Sequence, residues 1–207
     1  GKINKSFFLH NLRCKEGWIS MKKVGILGGT FDPPHIGHLI VAEGIREALE
    51  LDEIRFLPNH IPPHKTKTST TNQERLDMLQ LSTKGNPFFR IETIEWEREG
   101  PSYTIDTIKL LKVREPDSEW YFIIGADMIE YLPKWKQVDE LAQLVHFTGV
   151  KRPGYQEKTD YPVTMADIPE ISISSSLIRS RIKEGKSIKY LVPEEVKLYI
   201  EENRLYG

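Results

Sequence analysis

Cysteine is nearly missing from this chain: Cys14 is the only one. A single thiol excludes an intrachain disulfide and a cysteine-built zinc site, and that usage suits a reducing, cytoplasmic compartment. No apolar run approaches the ~20 residues that a membrane-spanning helix needs, so no membrane partner is expected. Charge of one sign is not in excess either. The 29 Lys and Arg against 30 Asp and Glu leave a formal net charge of −1, which offers nucleic acid no general electrostatic attraction. Two common phosphate loops are also missing: Gly-x-x-x-x-Gly-Lys-Ser/Thr, and Gly-x-Gly-x-x-Gly after the first apolar run. Internal repeats and low-complexity tracts do not occur. What remains is 207 residues, 39% hydrophobic and 29% charged, which suits one globular domain with a sizeable core.

Residues 1–20 differ from the rest. They carry four basic residues and one acidic, whereas residues 21–207 carry 25 basic and 29 acidic. Met21 is followed at once by Lys22, Lys23 and an apolar run, as a start would be. We read 1–20 as a leader or upstream extension outside the domain. Its apolar stretch, Phe7-Phe8-Leu9, is too short for a secretory signal. The domain is then 21–207.

Strand patterns fall at 23–27, 53–57, 88–97, 120–124 and 144–150, with helical patterns at 36–51, 72–84, 103–113 and 138–143. Strands alternating with helices predict an α/β fold: a Rossmann-like, doubly wound parallel sheet. The unbroken run Tyr121-Phe-Ile-Ile124 fits a central parallel strand. Ligands in such sheets bind beyond the carboxyl ends of the strands, where loops leave at Gly28, Pro58 and Gly125. The tail reads as a small helical part, 173–207. One helix runs from Ser174 to about Lys183, Gly185 breaks it, and another follows from Pro193 to Asn203.

The chemistry concentrates in Gly28-Gly-Thr-Phe-Asp-Pro-Pro-His-Ile-Gly-His38. A strand ends in two glycines that let a ligand approach the backbone. A turn holding Asp32, Pro33 and Pro34 follows, and His35 and His38 then share one face at a helix start. Free N–H groups and the macrodipole favour anions there. An isolated histidine pair reads as a helix cap. A zinc site would need a third ligand, and His60 or His64 would be the source, but Pro62 and Pro63 between them do not suggest a tuned site. A polyphosphate needs only donors, and this segment supplies them.

Three further groups stand out. Ser174, Ser175 and Ser176 start a helix with hydroxyls that cap it or donate to phosphate, and Arg179 lies one turn later on the same face. Gly125 and Asp127 follow a buried strand, and Trp135 stands beside Pro133 and Lys134 as a stacking surface. Two loops complete the set: Pro58 to Lys65, proline-rich and ending in a cation, and Gly100 to Asp106, with Ser102, Tyr103 and Thr104 at a helix start. The acidic run at 95–99 reads as a solvated face.

The string at 28–38 resembles the signature of nucleotidyltransferases of the class I aminoacyl-tRNA synthetase type. Ile173-Ser-Ser-Ser-Leu-Ile-Arg179 resembles that family's second signature, with Ser176 where threonine is commoner. Gly125-Ala-Asp127, with Trp135 eight residues after the aspartate, resembles a third. They occur in the family's order across 21–207. Within the family, Ile61-Pro-Pro-His-Lys65, Gly100-Pro-Ser-Tyr-Thr104, Tyr131-Leu-Pro-Lys-Trp135, Lys151-Arg-Pro153 and Leu205-Tyr206 resemble the bacterial nicotinate-nucleotide adenylyltransferases. They do not resemble pantetheine-phosphate adenylyltransferases or glycerol-phosphate cytidylyltransferases.

The resemblance implies ATP and nicotinate mononucleotide as substrates. It implies Mg2+ accompanying the ATP, with no protein metal ligand. It implies His35, His38, Lys65 and Arg179 as the groups acting on the phosphates. Gly28, Gly29, Thr30, Phe31, Gly125, Asp127, Ser174, Ser175 and Ser176 would also bind ATP. Ser102, Tyr103, Thr104, Tyr131, Lys134 and Trp135 would bind nicotinate mononucleotide. Homo-oligomerisation stays open. A nucleotide-binding regulator without turnover is the alternative class, and the intact histidine pair and Arg179 speak against it. A tRNA-synthetase fragment is disfavoured by the lack of a Lys-Met-Ser-Lys-Ser run.

Overall fold

The first strand, β1 (Lys22–Gly29), is buried from Val24 to Leu27 and sits at the middle of the sheet. The computed structural model describes residues 20–60, 70–98, 100–151 and 159–207. In them β1 is followed by α1 (Ile36–Ala48), β2 (Glu53–Pro58), α2 (Asn72–Thr83), β3 (Phe89–Ile91), α3 (Thr104–Arg114) and β4 (Ser118–Ile124). Then come α4 (Ala126–Ile129), α5 (Val138–Leu144), β5 (His146–Val150), β6 (Val163–Ala166), α6 (Ser175–Lys183) and α7 (Glu194–Glu202). The six strands form one sheet in the order β3-β2-β1-β4-β5-β6, every neighbouring pair parallel. The order reverses between β1 and β4, so the crevice at their carboxyl ends is the binding position this topology favours.

Alternation along β1 divides the core. Val24 and Ile26 join a cluster with Ile105, Ile108, Trp120 and Leu141 under α3 and α5. Leu27 joins Ala42, Ile45, Ile54 and Phe56 under α1. A third cluster (Met78, Ile178, Val196, Ile200, Leu205 and Tyr206) seats α6 and α7 on α2. The expected helical tail is therefore packed on the domain. No described helix is long and apolar enough to cross a membrane.

The expected elements are found with a few corrections. Helix α1 ends at Ala48, short of 51, because Glu50 takes a left-handed φ of 51° and the Leu51 N–H turns back to the Arg46 carbonyl at 2.9 Å. That turn drives Leu51 into the core. The strand expected over 88–97 is only Phe89–Ile91; a 3-10 turn, Ile94–Glu97, replaces the rest. Its Trp96 N–H closes on the Thr93 carbonyl at 2.8 Å, and the indole Nε1 donates to the Pro58 carbonyl at 3.0 Å. Consequently the run at 95–99 is not simply a solvated face. Glu95 is buried, its Oε1 accepts from the Thr107 hydroxyl at 3.0 Å, and burial pushes its carboxyl pKa up. The short α4, a 3-10 turn at Leu132–Lys134 and the edge strand β6 were not expected.

Candidate active site

β1 ends at Gly28 and Gly29, and the missing side chain at Gly29 is used at once. A Cβ there would lie 3.1 Å from the Phe31 ring. Phe31 has a left-handed φ of 51°, a conformation costing a non-glycine residue about 1–2 kcal/mol. Its buried ring meets the His38 ring edge-on at 4.9 Å and Phe56 at 5.8 Å. The turn continues through a cis Asp32–Pro33 bond to His35, which caps α1.

The two imidazoles stack, with centroids 3.7 Å apart and planes 24° apart. His38 Nδ1 accepts from the His35 N–H at 3.1 Å, which leaves the proton of a neutral His38 on Nε2. Burial lowers the pKa of His35 to about 4. Burial, and then the neighbouring His35, lower that of His38 to about 3. Both rings are thus neutral at pH 7 and act as hydrogen-bond donors rather than cations. They line a cavity of about 360 Å3 with Gly37, Gly125, Ser174 and Ser175. The cavity sits where β1 and β4 end.

The second signature is built into the first. Ser174 caps α6 by accepting from the Leu177 N–H at 3.1 Å. The Ser175 hydroxyl donates to the Pro33 carbonyl at 2.8 Å. Arg179 donates from Nη1 to the Asp32 carbonyl at 2.7 Å and from Nη2 to the Ser176 hydroxyl at 3.1 Å. The α6 start therefore also clamps the turn that leads to the histidines. Gly125 caps α4, and Asp127 lies in that helix's first turn.

The residues expected around the nicotinate ring also meet. Ser102, Tyr103, Thr104, Lys134 and Trp135 line a pocket of about 240 Å3, joined by Lys136. Trp135 stands edge-on to Phe122 at 5.8 Å and to Phe147 at 6.4 Å, so one part of it packs on the core while it also lines the pocket. Lys136 Nζ lies 4.3 Å from the Tyr103 ring centroid and pairs with Asp106 at 3.2 Å. Tyr131 is outside that lining, half exposed, with Lys134 Nζ 5.0 Å from its ring centroid. Lys65 lies outside the described residues, as does His64 of the zinc alternative. Among the described residues no three His, Cys, Asp or Glu side chains gather as a metal site.

Sequence reasoning missed Arg75. It is fully buried in α2 and donates to the Thr30 carbonyl at 2.6 Å, to Asn59 Oδ1 at 3.1 Å and to the Asn59 carbonyl at 2.8 Å. It ties the ends of β1 and β2 together. Two of its partners are backbone carbonyls and the others are the side-chain amide oxygens of Asn59 and Asn72, a set that no motif marks.

The site and the sheet order define a nucleotide-binding α/β domain of the nucleotidyltransferase class. The cytidylyltransferase-like family model matches residues 26–181. A Geobacillus thermodenitrificans protein named "Probable nicotinate-nucleotide adenylyltransferase" is 61% identical over 188 residues, covering 90% of this chain and 87% of its own. The Bacillus subtilis nicotinate-nucleotide adenylyltransferase is 56% identical over 187 residues, 90% of this chain and 99% of its own. The solved Plasmodium falciparum nicotinic acid mononucleotide adenylyltransferase complexed with NaAD shares the fold. Its TM-score is 0.74 at 24% identity, covering 89% of this chain and 97% of that one. The chain belongs to the nicotinate-nucleotide adenylyltransferase family.

Proposed function

We propose that the chain transfers the adenylyl group of ATP to nicotinate mononucleotide, giving nicotinate adenine dinucleotide and pyrophosphate. The observation that carries this reading is the stacked, neutral His35–His38 pair at the head of α1, facing the switch-point crevice. An oxygen of the mononucleotide's phosphate forms a bond to the α-phosphorus of ATP. The bond from that phosphorus to the bridging oxygen breaks, and its electron pair leaves with pyrophosphate. No protein nucleophile enters, so catalysis rests on positioning and on donors aimed at developing charge.

His38 Nε2–H and the His35 ring would donate to the α- and β-phosphate oxygens. Gly28, Gly29 and the Thr30 hydroxyl would extend that set where the backbone leaves β1. Phe31 packs edge-on against His38, and Gly125, Asp127 and Ser174–Ser176 would border the nucleoside. Arg179 and Lys65 would neutralise the leaving pyrophosphate.

Imidazoles, hydroxyls and N–H groups suit anionic oxygens, and the buried Asp32 carboxylate already accepts from Thr70 and Tyr206. Mg2+ would therefore arrive with the phosphates of ATP rather than on a set of protein carboxylates. Such an ion, when bound, offsets part of the phosphate charge. On the acceptor side Trp135 would stack on the nicotinate ring. The first-turn N–H groups of α3 and the Thr104 hydroxyl would face the carboxylate.

The test is pyrophosphate release with ATP and four acceptors: nicotinate mononucleotide, its amide, phosphopantetheine and glycerol phosphate. Release with the first by a wide margin is expected. Preference for any other would overturn the assignment.

A further inference from the structure

The turn that carries the histidines is held by parts of the chain far from it in sequence, and one of those ties lies just beyond α7. After Asn203 the backbone enters a tight reversal in which Arg204 and Tyr206 both have left-handed φ, 52° and 65°. Neither is glycine, so each carries a conformational cost of about 1–2 kcal/mol. The reversal presses Leu205 into the cluster over α2 and brings Tyr206 into the same cluster, its ring buried. The Tyr206 hydroxyl donates to Asp32 Oδ1 at 2.6 Å, and the Thr70 hydroxyl donates to the same oxygen. Asp32 is itself buried and follows Phe31, whose φ is also left-handed. Strained residues thus lie at both ends of one charge-assisted hydrogen bond.

We infer that Tyr206 is a positioning residue for adenylyl transfer: its hydroxyl anchors the Asp32 carboxylate and thereby fixes the turn that presents His35 and His38. The inference rests on the reading of function given above. Asp32 stands three residues before His35, and the intervening backbone is gripped on the same side. Arg179 holds the Asp32 carbonyl, Ser175 holds the Pro33 carbonyl, and the Ile36 N–H donates to the Leu191 carbonyl at 3.0 Å. Residues from α6 onward therefore share with Arg75 and Thr70 in placing the histidine rings. Of the ties from α6 onward, that of Tyr206 is the one made to the carboxylate, beside the bond from Thr70. Hydrogen bonds to a buried charge are among the stronger side-chain interactions. Their loss shifts the turn, and a shift of about 1 Å at a reacting group can reduce rate 100-fold.

The experiment compares Tyr206→Phe with wild type and with Val196→Ala. The last loosens the same cluster from α7 and keeps the hydroxyl. In Tyr206→Phe, kcat should fall roughly 10- to 100-fold. The KM for nicotinate mononucleotide should stay within about twofold, because the pocket at Ser102–Thr104 and Trp135 is built from other segments. Val196→Ala, assayed below its melting temperature, should keep kcat within about threefold of wild type. If Tyr206→Phe does not fold, Thr70→Val removes the carboxylate's other hydroxyl donor and is read by the same split. A kcat in Tyr206→Phe within threefold of wild type overturns the inference. So does an equal loss in Val196→Ala, which would mark a general effect of stability. A wild type that releases no pyrophosphate with nicotinate mononucleotide instead overturns the underlying function, and the inference with it.

Discussion

The exits from β1 and β4 are neighbours at the carboxyl end of the sheet, and they are held in different ways. The β1 exit is buried at Phe31, Asp32 and His35 and tied by distant groups: Arg75 from α2, Ser175 and Arg179 from α6, Tyr206 from beyond α7. The β4 exit is held by short-range backbone bonds. Met128 reaches back to Gly125, Tyr131 to Met128 and Lys134 to Tyr131, each three residues earlier. Across the pocket from it, Tyr103 is 45% exposed, and on the exit itself Tyr131 is 51% exposed. Ile129 and Leu132 still anchor the β4 exit in the core, but among the described residues it has fewer long-range hydrogen bonds than the β1 exit, which favours easier local opening of its exposed part. The contrast matches two demands of one reaction. Donors to a phosphorus in transit must already be in place, whereas an acceptor ring must enter and leave.

The largest effect should come from the rigid exit. His38→Ala removes the donor whose proton is fixed on Nε2, at an expected loss of about 2.7–4 kcal/mol, or roughly 100- to 1000-fold in kcat. KM for nicotinate mononucleotide should change little; steady-state kinetics on a variant with wild-type circular dichroism checks this. Near-normal turnover would make the two exits equivalent and sink the phosphate role.

Next comes selectivity, which the proposed function assigns to the pocket between the β4 exit and the α3 start. The α3 start presents donors, and an amide NH2 against a donor is unpaired. The kcat/KM for the acid mononucleotide should exceed that for the amide by roughly 100-fold, and Thr104→Ala should shrink the ratio while sparing turnover of ATP. Equal use of both mononucleotides by the wild type would remove the specificity assignment and leave the adenylyl chemistry standing.

The histidine pair also predicts a stability profile. Its folded pKa values, about 4 and about 3, lie below the ordinary 6.5. The unfolded chain therefore binds more protons than the native one between those values. The pair's contribution is complete above pH 6.5 and declines as pH falls through that value toward 4. The loss by pH 5 is about 2 kcal/mol per histidine. Urea melts at pH 7.5 and 5 measure it. A His35→Gln, His38→Gln double variant should flatten the slope, and an unchanged slope would show that the rings are not buried neutral. The smallest effect is expected for Trp135→Ala: roughly tenfold in KM for both mononucleotides alike, since stacking does not distinguish their substituents.

Much of this contrast is written in local patterns. The buried strands at 22–29 and 118–124 were legible as unbroken apolar runs before a glycine, and the pocket around Thr104 and Trp135 through matching motifs. Three things were not legible. The edge strand Val163–Ala166 shows little alternation and is only partly covered. The segment 88–97 has strand-like residues, but the chain turns after Ile91 so that Ile94 and Glu95 can be buried. The third is the set of long-range ties. Arg75 and Tyr206 find partners 45 and 174 residues away, and no periodicity or motif reports a bond made only once the fold is closed. Asp32 was placed in the turn before the histidines; its bond to Tyr206 could not be foreseen.

The Asp32–Tyr206 bond also sets a timetable for synthesis. Its two ends are 174 residues apart, so at ~5–20 residues per second a ribosome needs about 10–35 s to make the second after the first. Throughout that interval β1, its glycines and both histidines exist without their anchor. An emerging chain can therefore begin to pair its strands before Ser174 and Ser175 complete the crevice and before Tyr206 reaches the histidine turn. On the inference above, full turnover waits for the segment beyond α7 to dock, and a chain stalled short of Tyr206 would lack both that anchor and part of the third core cluster.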